Sequence, residues 1–210
     1  MTSTEGRAGA GWLAVREELG RELLDAGASD AFAVSDHQLA HVYVKRPALI
    51  GEVAERLRAL DGVEHVLDRA GQAELGLAHA RAGELVAISR ADRWFSYYYW
   101  LTPDKAPDFA STVEIHRKPG YDPVELFVDP KLPLPAASIA WRLLKKKLGF
   151  RTLMDVISPD DDSLVRGSHG RITDDERAGP LFISSEPGLA GRGRLHATDV
   201  LDLMLAHVFG

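Results

Sequence analysis

The sequence predicts an α/β fold, with a mostly parallel, doubly wound sheet, helices on both faces and a small irregular insert near residues 92–136. Apolar residues at helical spacing in 12–24 are followed by a glycine stop and by the apolar run 31–35. This succession of helix, turn and buried strand is typical of parallel sheets. A second helix with one apolar stripe, at 47–60, lies between two further strand-like runs. The alternation of helix and strand therefore occurs twice.

Turn-forming residues delimit the other elements. Residues 1–10 are small and polar and are expected to be disordered, so the domain is expected to span 11–210. Seven prolines in the insert favour loops and short edge strands over long helices. The other predicted elements are strands at 42–44, 63–67, 84–89 and 180–184, a short helix at 72–79, a basic helix at 138–148 and a closing helix from about 197.

Composition narrows the class of function. The net charge of −6 argues against a protein that coats nucleic acid, because phosphate backbones require a basic surface. The chain has no cysteine, which excludes disulfides, zinc-thiolate sites and a thiol nucleophile. We find no signal peptide and no apolar stretch of membrane-spanning length, so a cytoplasmic protein without a membrane partner is expected.

Ser35, Asp36 and His37 stand where the predicted strand 31–35 opens into a loop. Ligands bind at the carboxyl ends of strands in α/β sheets, and carboxylate and imidazole are both ligands of zinc-type ions. Two other interpretations stay open. Asp36 could cap the next element beside a hydrogen-bonded histidine. Ser35 and His37 could form a nucleophilic pair, although the Gly-x-Ser-x-Gly elbow is missing.

A second motif, Gly167-Ser168-His169-Gly170, lies far downstream. Two glycines around a histidine suggest a close backbone approach or a positive φ. A histidine held in this way can reach a ligand site formed by another loop. We therefore expect His169 to converge with Asp36 and His37 at one end of the sheet.

In this order the two motifs resemble the alkaline phosphatase superfamily, in particular its nucleotide pyrophosphatase/phosphodiesterase branch. In that family a strand ending in Ser-Asp-His-Gly is followed later by Gly-x-His-Gly. The first motif departs from the pattern, since Gln38 replaces the glycine, whereas the second matches. The resemblance continues through the predicted strand 180–184 and the closing helix. It covers essentially the whole chain, which corresponds to the C-terminal half of the family's catalytic domain.

The resemblance implies a centre of two divalent metals about 4 Å apart, two zinc ions or alternatively manganese or magnesium. It assigns Asp36 and His37 to one ion and His169 to the other. Zinc normally takes three or four protein ligands, so neither half-site is complete and weak zinc binding is expected. The family's other ligands and its threonine or serine nucleophile precede the Asp-His pair. Only 35 residues precede Asp36 and none forms such a motif, so the nucleophile is expected upstream.

The function implied by the resemblance is a metal-dependent hydrolase that acts on a phosphodiester or nucleotide pyrophosphate bond of a small phosphoester substrate. That function is expected to be incomplete in this chain as it stands. Two alternatives stay open: a non-catalytic binding or scaffold domain derived from such an enzyme, and one half of a split enzyme. A homo-oligomer or a complementary upstream chain is the expected protein partner.

His116, Arg117 and Lys118 precede a Pro-Gly turn and are candidates for binding the substrate phosphate. The competing interpretation, a solvated charged loop, is the one that we favour. The aromatic residues between 94 and 100 are expected in the core rather than as a stacking platform for a nucleobase.

Two further sets of residues match parts of a metal site. Asp61 and His65 form the family's Asp-x-x-x-His spacing, but they follow the Asp-His pair, whereas the family's motif precedes it. A turn and the start of a strand are the expected setting for them. His41 is either a hydrogen-bonding partner of a metal-bound histidine or an ordinary strand residue.

Overall fold

The computed structural model describes residues 11–100, 102–113, 118, 120–121, 123–159, 161–190 and 193–210. The segment 1–10, for which we expected disorder, lies outside the described residues. The chain divides into two compact units, Met1–Ile172 and Thr173–Gly210. The first unit contains all the described strands.

A five-stranded sheet forms the centre of the first unit, and it shows that the predicted parallel fold is wrong. In spatial order its strands are β5 (Val63–Leu67), β6 (Leu85–Ser89), β4 (Leu39–Val44), β3 (Ala31–Asp36) and β7 (Gly120–Tyr121). All neighbouring pairs are antiparallel except β3–β7, which is parallel. The sheet is therefore predominantly antiparallel and not the doubly wound parallel sheet that we expected.

The connections explain why the parallel prediction failed. A two-residue turn joins β3 to β4, and such a short turn can join only antiparallel strands. Helix α1 (Ile50–Arg58) does connect two strands of the same direction, because β4 and β5 are each antiparallel to β6. The succession of strand, helix and strand was predicted correctly, but β6 inserts between the two strands and pairs with both.

The helix predicted at 12–24 is also wrong, because this segment forms a hairpin of β1 (Val15–Glu18) and β2 (Arg21–Leu24). The turn residues Leu19 and Gly20 have φ values of 50° and 78°. Positive φ at both central residues is the requirement of a type I′ hairpin turn. The side chain of Leu19 is fully exposed, so the apolar spacing that suggested a helix included a residue that contributes nothing to a buried face.

Two buried clusters stabilise the first unit. One lies between α1 and the sheet and consists of Ala31, Val42, Val44, Val53, Ala54 and Leu85. The other is the aromatic run 97–100 with Ala106, Phe109 and Ala110, against which leucines of the β1–β2 region pack. Each aromatic side chain buries a large apolar area, so the second cluster helps to anchor β2 through Leu23 and Leu24. The aromatic run therefore lies in the core, as expected.

The short helix predicted at 72–79 lies earlier in the chain, at 69–74, whereas the predicted basic helix lies close to its predicted position. Helix α2 (Arg69–Glu74) begins after Asp68, whose carboxylate accepts hydrogen bonds from two backbone N–H groups of its first turn. Helix α3 (Pro135–Lys147) is the predicted basic helix. The described residues of the insert form short 3-10 turns and the two-residue strand β7.

The second unit contains the short helix α4 (Pro187–Ala190) and the closing helix α5 (Asp199–Phe209). The closing helix confirms the prediction near residue 197. The strand predicted at 180–184 is wrong, since this segment has no regular structure. Among the described residues no helix combines the length and the apolar character needed to cross a membrane.

Candidate metal centre

The turn between β3 and β4 carries two of the predicted ligands. Asp36 is the last residue of β3 and pairs with Leu39, so that His37 and Gln38 form the turn. His37 has a φ of 54°, in the left-handed region that residues other than glycine rarely occupy. Such a conformation persists only where the surrounding structure holds it, and residues of this kind cluster at functional sites.

Gln38 holds the turn against the loop that follows β6. Its residue is only 8% exposed, and its side-chain Nε2 lies 3.3, 3.2 and 3.0 Å from the carbonyl oxygens of Arg90, Ala91 and Arg93. Its backbone carbonyl also accepts a hydrogen bond from the Ser89 N–H at 2.9 Å. Gln38 therefore acts as a clamp between the β3–β4 turn and the loop that follows β6.

The loop that carries His169 binds directly to the same turn. The Gln38 N–H donates to the His169 carbonyl at 2.8 Å. Gly170 follows with a φ of 107°, and a Cβ atom there would lie 3.3 Å from the Asp36 carbonyl oxygen and from the Leu39 nitrogen. The close backbone approach that the flanking glycines suggested is therefore present at Gly170.

Arg171 fastens this loop to the far edge of the sheet. Its guanidinium donates two hydrogen bonds to the Glu64 carboxylate on β5, at 2.5 Å from Nε and 2.9 Å from Nη2. The hydrogen bond from Arg171 is the main cause that lowers the pKa of Glu64. The bidentate pair is a directional contact. It and the Gln38 clamp were missed at the sequence level, because both depend on contacts between distant segments.

Asp36, His37 and His169 each offer one ligand atom, and these three atoms all lie within 4.8 Å of one another. The imidazole centroids of His37 and His169 are 4.1 Å apart. Asp36 and His169 are exposed, and His37 is half-buried. The structure thus brings the three side chains together, as expected, whereas their binding of a metal remains a prediction.

Three ligand atoms within 4.8 Å of one another can bind a single ion. A tetrahedral zinc ion bound at about 2.0–2.2 Å places its ligand atoms about 3.3 Å apart. Small rotations of the exposed Asp36 and His169 side chains would bring the atoms to that separation. Three protein ligands would leave at least one coordination position open for water or substrate. Two histidines and one carboxylate also suit manganese or ferrous iron, so this ligand set does not select zinc.

The hydroxyl of Ser35 is not part of this centre. Successive side chains of a strand point to opposite faces, which separates Ser35 from Asp36. Ser35 is 2% exposed and its Oγ has no hydrogen-bond partner among the described residues, so no Ser35–His37 pair forms.

Of the three candidate phosphate-binding residues, His116 and Arg117 lie outside the described residues. Lys118 is buried, with its ammonium in an ion pair with the Glu125 carboxylate and 5.6 Å from the centre of the Tyr97 ring. A role for Lys118 in substrate binding stays a prediction, and the structure gives its charge an internal partner.

The other candidates have structural partners. Asp61 pairs with Arg90 at 3.3 Å, and the only described group of histidine and acidic side chains with metal-binding spacing excludes Asp61 and His65. The His41 ring accepts a hydrogen bond at Nδ1 from the Gly83 N–H at 3.2 Å. Burial and the charge of Arg69 lower the pKa of His41, although Asp36 acts in the opposite direction. His41 is thus held as a neutral strand residue.

No protein-family description, curated protein or solved structure matches this chain. The resemblance to the alkaline phosphatase superfamily therefore rests on the two motifs alone and remains a hypothesis.

Proposed function

We propose that the chain binds one divalent cation through Asp36, His37 and His169 and that this centre serves hydrolysis of a small phosphoester. The observation that supports the proposal is the convergence of three ligand atoms within 4.8 Å from two segments distant in the sequence. Convergence of this kind is typical of metal sites, in which ligands from separate loops meet at one ion.

The residues around the three side chains have defined tasks in this proposal. The bound ion would polarise a phosphoryl oxygen and lower the pKa of a bound water molecule. Asp36 supplies a negative charge that partly balances the ion. His37 is oriented by the strained turn, and the backbone bond from Gln38 holds the loop of His169. The phosphoester as substrate rests on the resemblance of the two motifs and not on a contact in the structure.

A metal-binding domain that needs a complementary chain for catalysis is the second candidate. It is favoured by the position of Ser35, the hydroxyl adjacent to Asp36 along the chain; Ser168, adjacent to His169, is the other neighbouring hydroxyl. Ser35 is buried on the opposite face of the sheet, where it cannot attack a substrate bound beside Asp36. In this case the nucleophile would come from another polypeptide, as we also expected from the resemblance.

Metal binding is tested by isothermal titration with zinc, manganese and magnesium at neutral pH. We expect one ion per chain, with binding lost in Asp36→Ala and in His169→Ala. His65→Ala is the matched control, because His65 is an exposed histidine outside the cluster, and its binding should equal that of the wild type. Retention of the ion by both ligand variants would contradict the proposal.

Hydrolysis is tested with a chromogenic phosphodiester and the metal that binds best. Turnover that requires both Asp36 and His169 would support a reaction at this centre. Metal binding without such turnover would support the second candidate, in which the isolated chain is silent. Turnover that is unaffected by both substitutions would show that the reaction occurs elsewhere.

A further inference from the structure

Helix α3 presents an apolar face to solvent. Four apolar residues recur every three or four positions and therefore share one side of the helix: Ala137, Trp141, Leu144 and Leu148. All four are exposed, and the exposed fractions of the three large side chains are 57%, 46% and 64% in chain order. We call these four residues the solvent-facing stripe. It is about 16 Å long, because a helix rises 1.5 Å per residue.

The other side of α3 contacts the first unit through polar groups. The Arg142 guanidinium donates from Nε to the Asp155 carboxylate at 2.5 Å and from Nη2 to the Asp155 carbonyl at 3.2 Å. The Ser138 hydroxyl donates to the Pro133 carbonyl at 2.9 Å. A surface helix normally turns its apolar residues to the core and its polar residues to water. Helix α3 has the reverse arrangement, so burial in the first unit does not account for the stripe.

Lysines border the stripe at its C-terminal end. The last turn of α3 contains Lys145, Lys146 and Lys147. At 3.6 residues per turn, Lys145 and Lys147 fall on the two opposite sides of the stripe. The Lys145 ammonium lies 5.9 Å from the centre of the Trp141 ring, a cation–π distance. The helix has no acidic residue, so the surface is locally basic although the net charge of the chain is −6.

Charge and shape distinguish the possible occupants of this surface. A second copy of α3 brings no acidic group to the lysines, so pairing between two such helices forms no ion pair. Amphipathic peptides bind in grooves, whereas the stripe lies on the convex side of one helix. Tryptophan and lysine both combine an apolar body with a polar end, which suits them to the boundary between lipid and water. Basic helices with tryptophan and leucine on the apolar side bind the surfaces of anionic membranes.

We propose that α3 is a surface anchor that binds membranes containing anionic phospholipids. The solvent-facing stripe enters the boundary between headgroups and acyl chains to a depth of about 5–10 Å. The lysines of the last turn contact the headgroup phosphates. The helix lies on the membrane and does not span it. The proposal replaces our expectation of a protein without a membrane partner, and it uses no residue of the metal centre.

The test is co-sedimentation of the full chain with vesicles, in a buffer that contains EDTA. The vesicles consist of phosphatidylcholine alone or of phosphatidylcholine mixed with phosphatidylserine. We expect binding to the mixed vesicles and much weaker binding to phosphatidylcholine alone, and added salt should weaken the binding because it screens the lysine charges. EDTA removes divalent ions that could bridge the Asp36 centre to phosphate groups. Asp36→Ala should therefore bind the vesicles as the wild type does.

The contribution of charge is tested with a double variant, Lys146→Gln with Lys147→Gln. It should weaken binding to the mixed vesicles about 25-fold, at about fivefold for each lysine near the membrane surface. Arg56→Gln with Arg58→Gln is the matched control, because it removes two exposed cations from the last turn of α1 and changes the net charge equally. The control should bind as the wild type does.

The contribution of the apolar side chains is tested with Leu144→Gln. It should weaken binding about tenfold or more, because an apolar side chain no longer leaves water. Leu126→Gln is the matched control, since Leu126 is 81% exposed and lies outside α3. Both positions are exposed, so both variants should fold, and circular dichroism checks this.

Three results would overturn the proposal. The first is a wild type that does not bind the mixed vesicles. The second is equal binding by the lysine double variant, the arginine double variant and the wild type, which would assign the lipid contact to another surface. The third is a wild-type dimer in sedimentation velocity that does not bind vesicles and that Leu144→Gln dissociates, because a second copy of the chain would then cover the stripe.

Discussion

Gln38→Ala tests whether the clamp on the turn also positions the three candidate metal ligands. The amide of Gln38 has two N–H donors for three carbonyl oxygens, so at most two full hydrogen bonds are lost. Each contributes about 1 kcal/mol net, and a buried carbonyl left without a partner costs about 1 kcal/mol more. We expect the free energy of unfolding to fall by about 2–3 kcal/mol. For a chain of this size the melting temperature should fall by about 4–12 °C.

The metal affinity separates positioning from general stability. Substitution of groups that orient metal ligands typically reduces affinity about 10–100-fold, and we expect Gln38→Ala to weaken metal binding by about tenfold. Gln72→Ala is the matched control, because Gln72 is fully buried and its Nε2 lies 3.1 and 3.4 Å from the carbonyl oxygens of Gly83 and Glu84, away from the ligands. It should destabilise the chain similarly and leave metal affinity unchanged.

The measurements are urea unfolding and metal titration of both variants under identical conditions. If Gln38→Ala and Gln72→Ala weakened metal binding equally, the effect would come from lost stability and the positioning argument would be refuted. An unchanged stability in Gln38→Ala would refute the hydrogen-bond argument itself.

Three further predictions concern the loop of His169 and the neighbouring strand. Gly170→Ala should weaken metal binding and lower the free energy of unfolding by about 1–3 kcal/mol, since alanine is strained at a φ of 107° and its Cβ would press on the turn. Gly167→Ala, with open space and no positive φ, should be neutral in both titrations. The lowered pKa of Glu64 means that the stability contributed by its Arg171 pair is present above its ordinary value of 4.5 and is lost as the pH falls through the lowered pKa. Urea unfolding between pH 3 and 6 should show a smaller loss in Glu64→Gln than in the wild type. Because the pKa of His41 is lowered from 6.5, the unfolded chain binds the proton more readily, and stability should fall as the pH drops below about 6.5. His41→Gln should reduce that fall, as measured by urea unfolding at pH 7.5 and 5.5, and an unchanged slope would contradict the assignment.

The elements that were predicted well are those whose determining residues lie within one short segment of the chain. The helix at 47–60 has its apolar stripe and its proline start in one segment, and the structure contains it. The direction of the sheet was not predictable in this way, because it depends on where β6 inserts, and its pairing with β4 joins distant residues. The helix predicted at 12–24 was wrong for a different reason. Leu19 and Gly20 adopt a positive φ and form a hairpin turn, although the neighbouring leucines have helical spacing.

In the candidate centre, too, local features could be predicted from the sequence and contacts between distant segments could not. The convergence of Asp36, His37 and His169 could be predicted because each side chain has metal-ligand chemistry and stands in a short, conspicuous motif. The groups that hold them could not be predicted, because Gln38 acts through carbonyl oxygens more than 50 residues away and Arg171 through Glu64 on another strand. These supports are ordinary polar residues whose roles arise only from tertiary contacts. The turn therefore depends on the loop after β6 and on the loop of His169, so the ligand geometry is a property of the folded first unit and not of the two motifs alone.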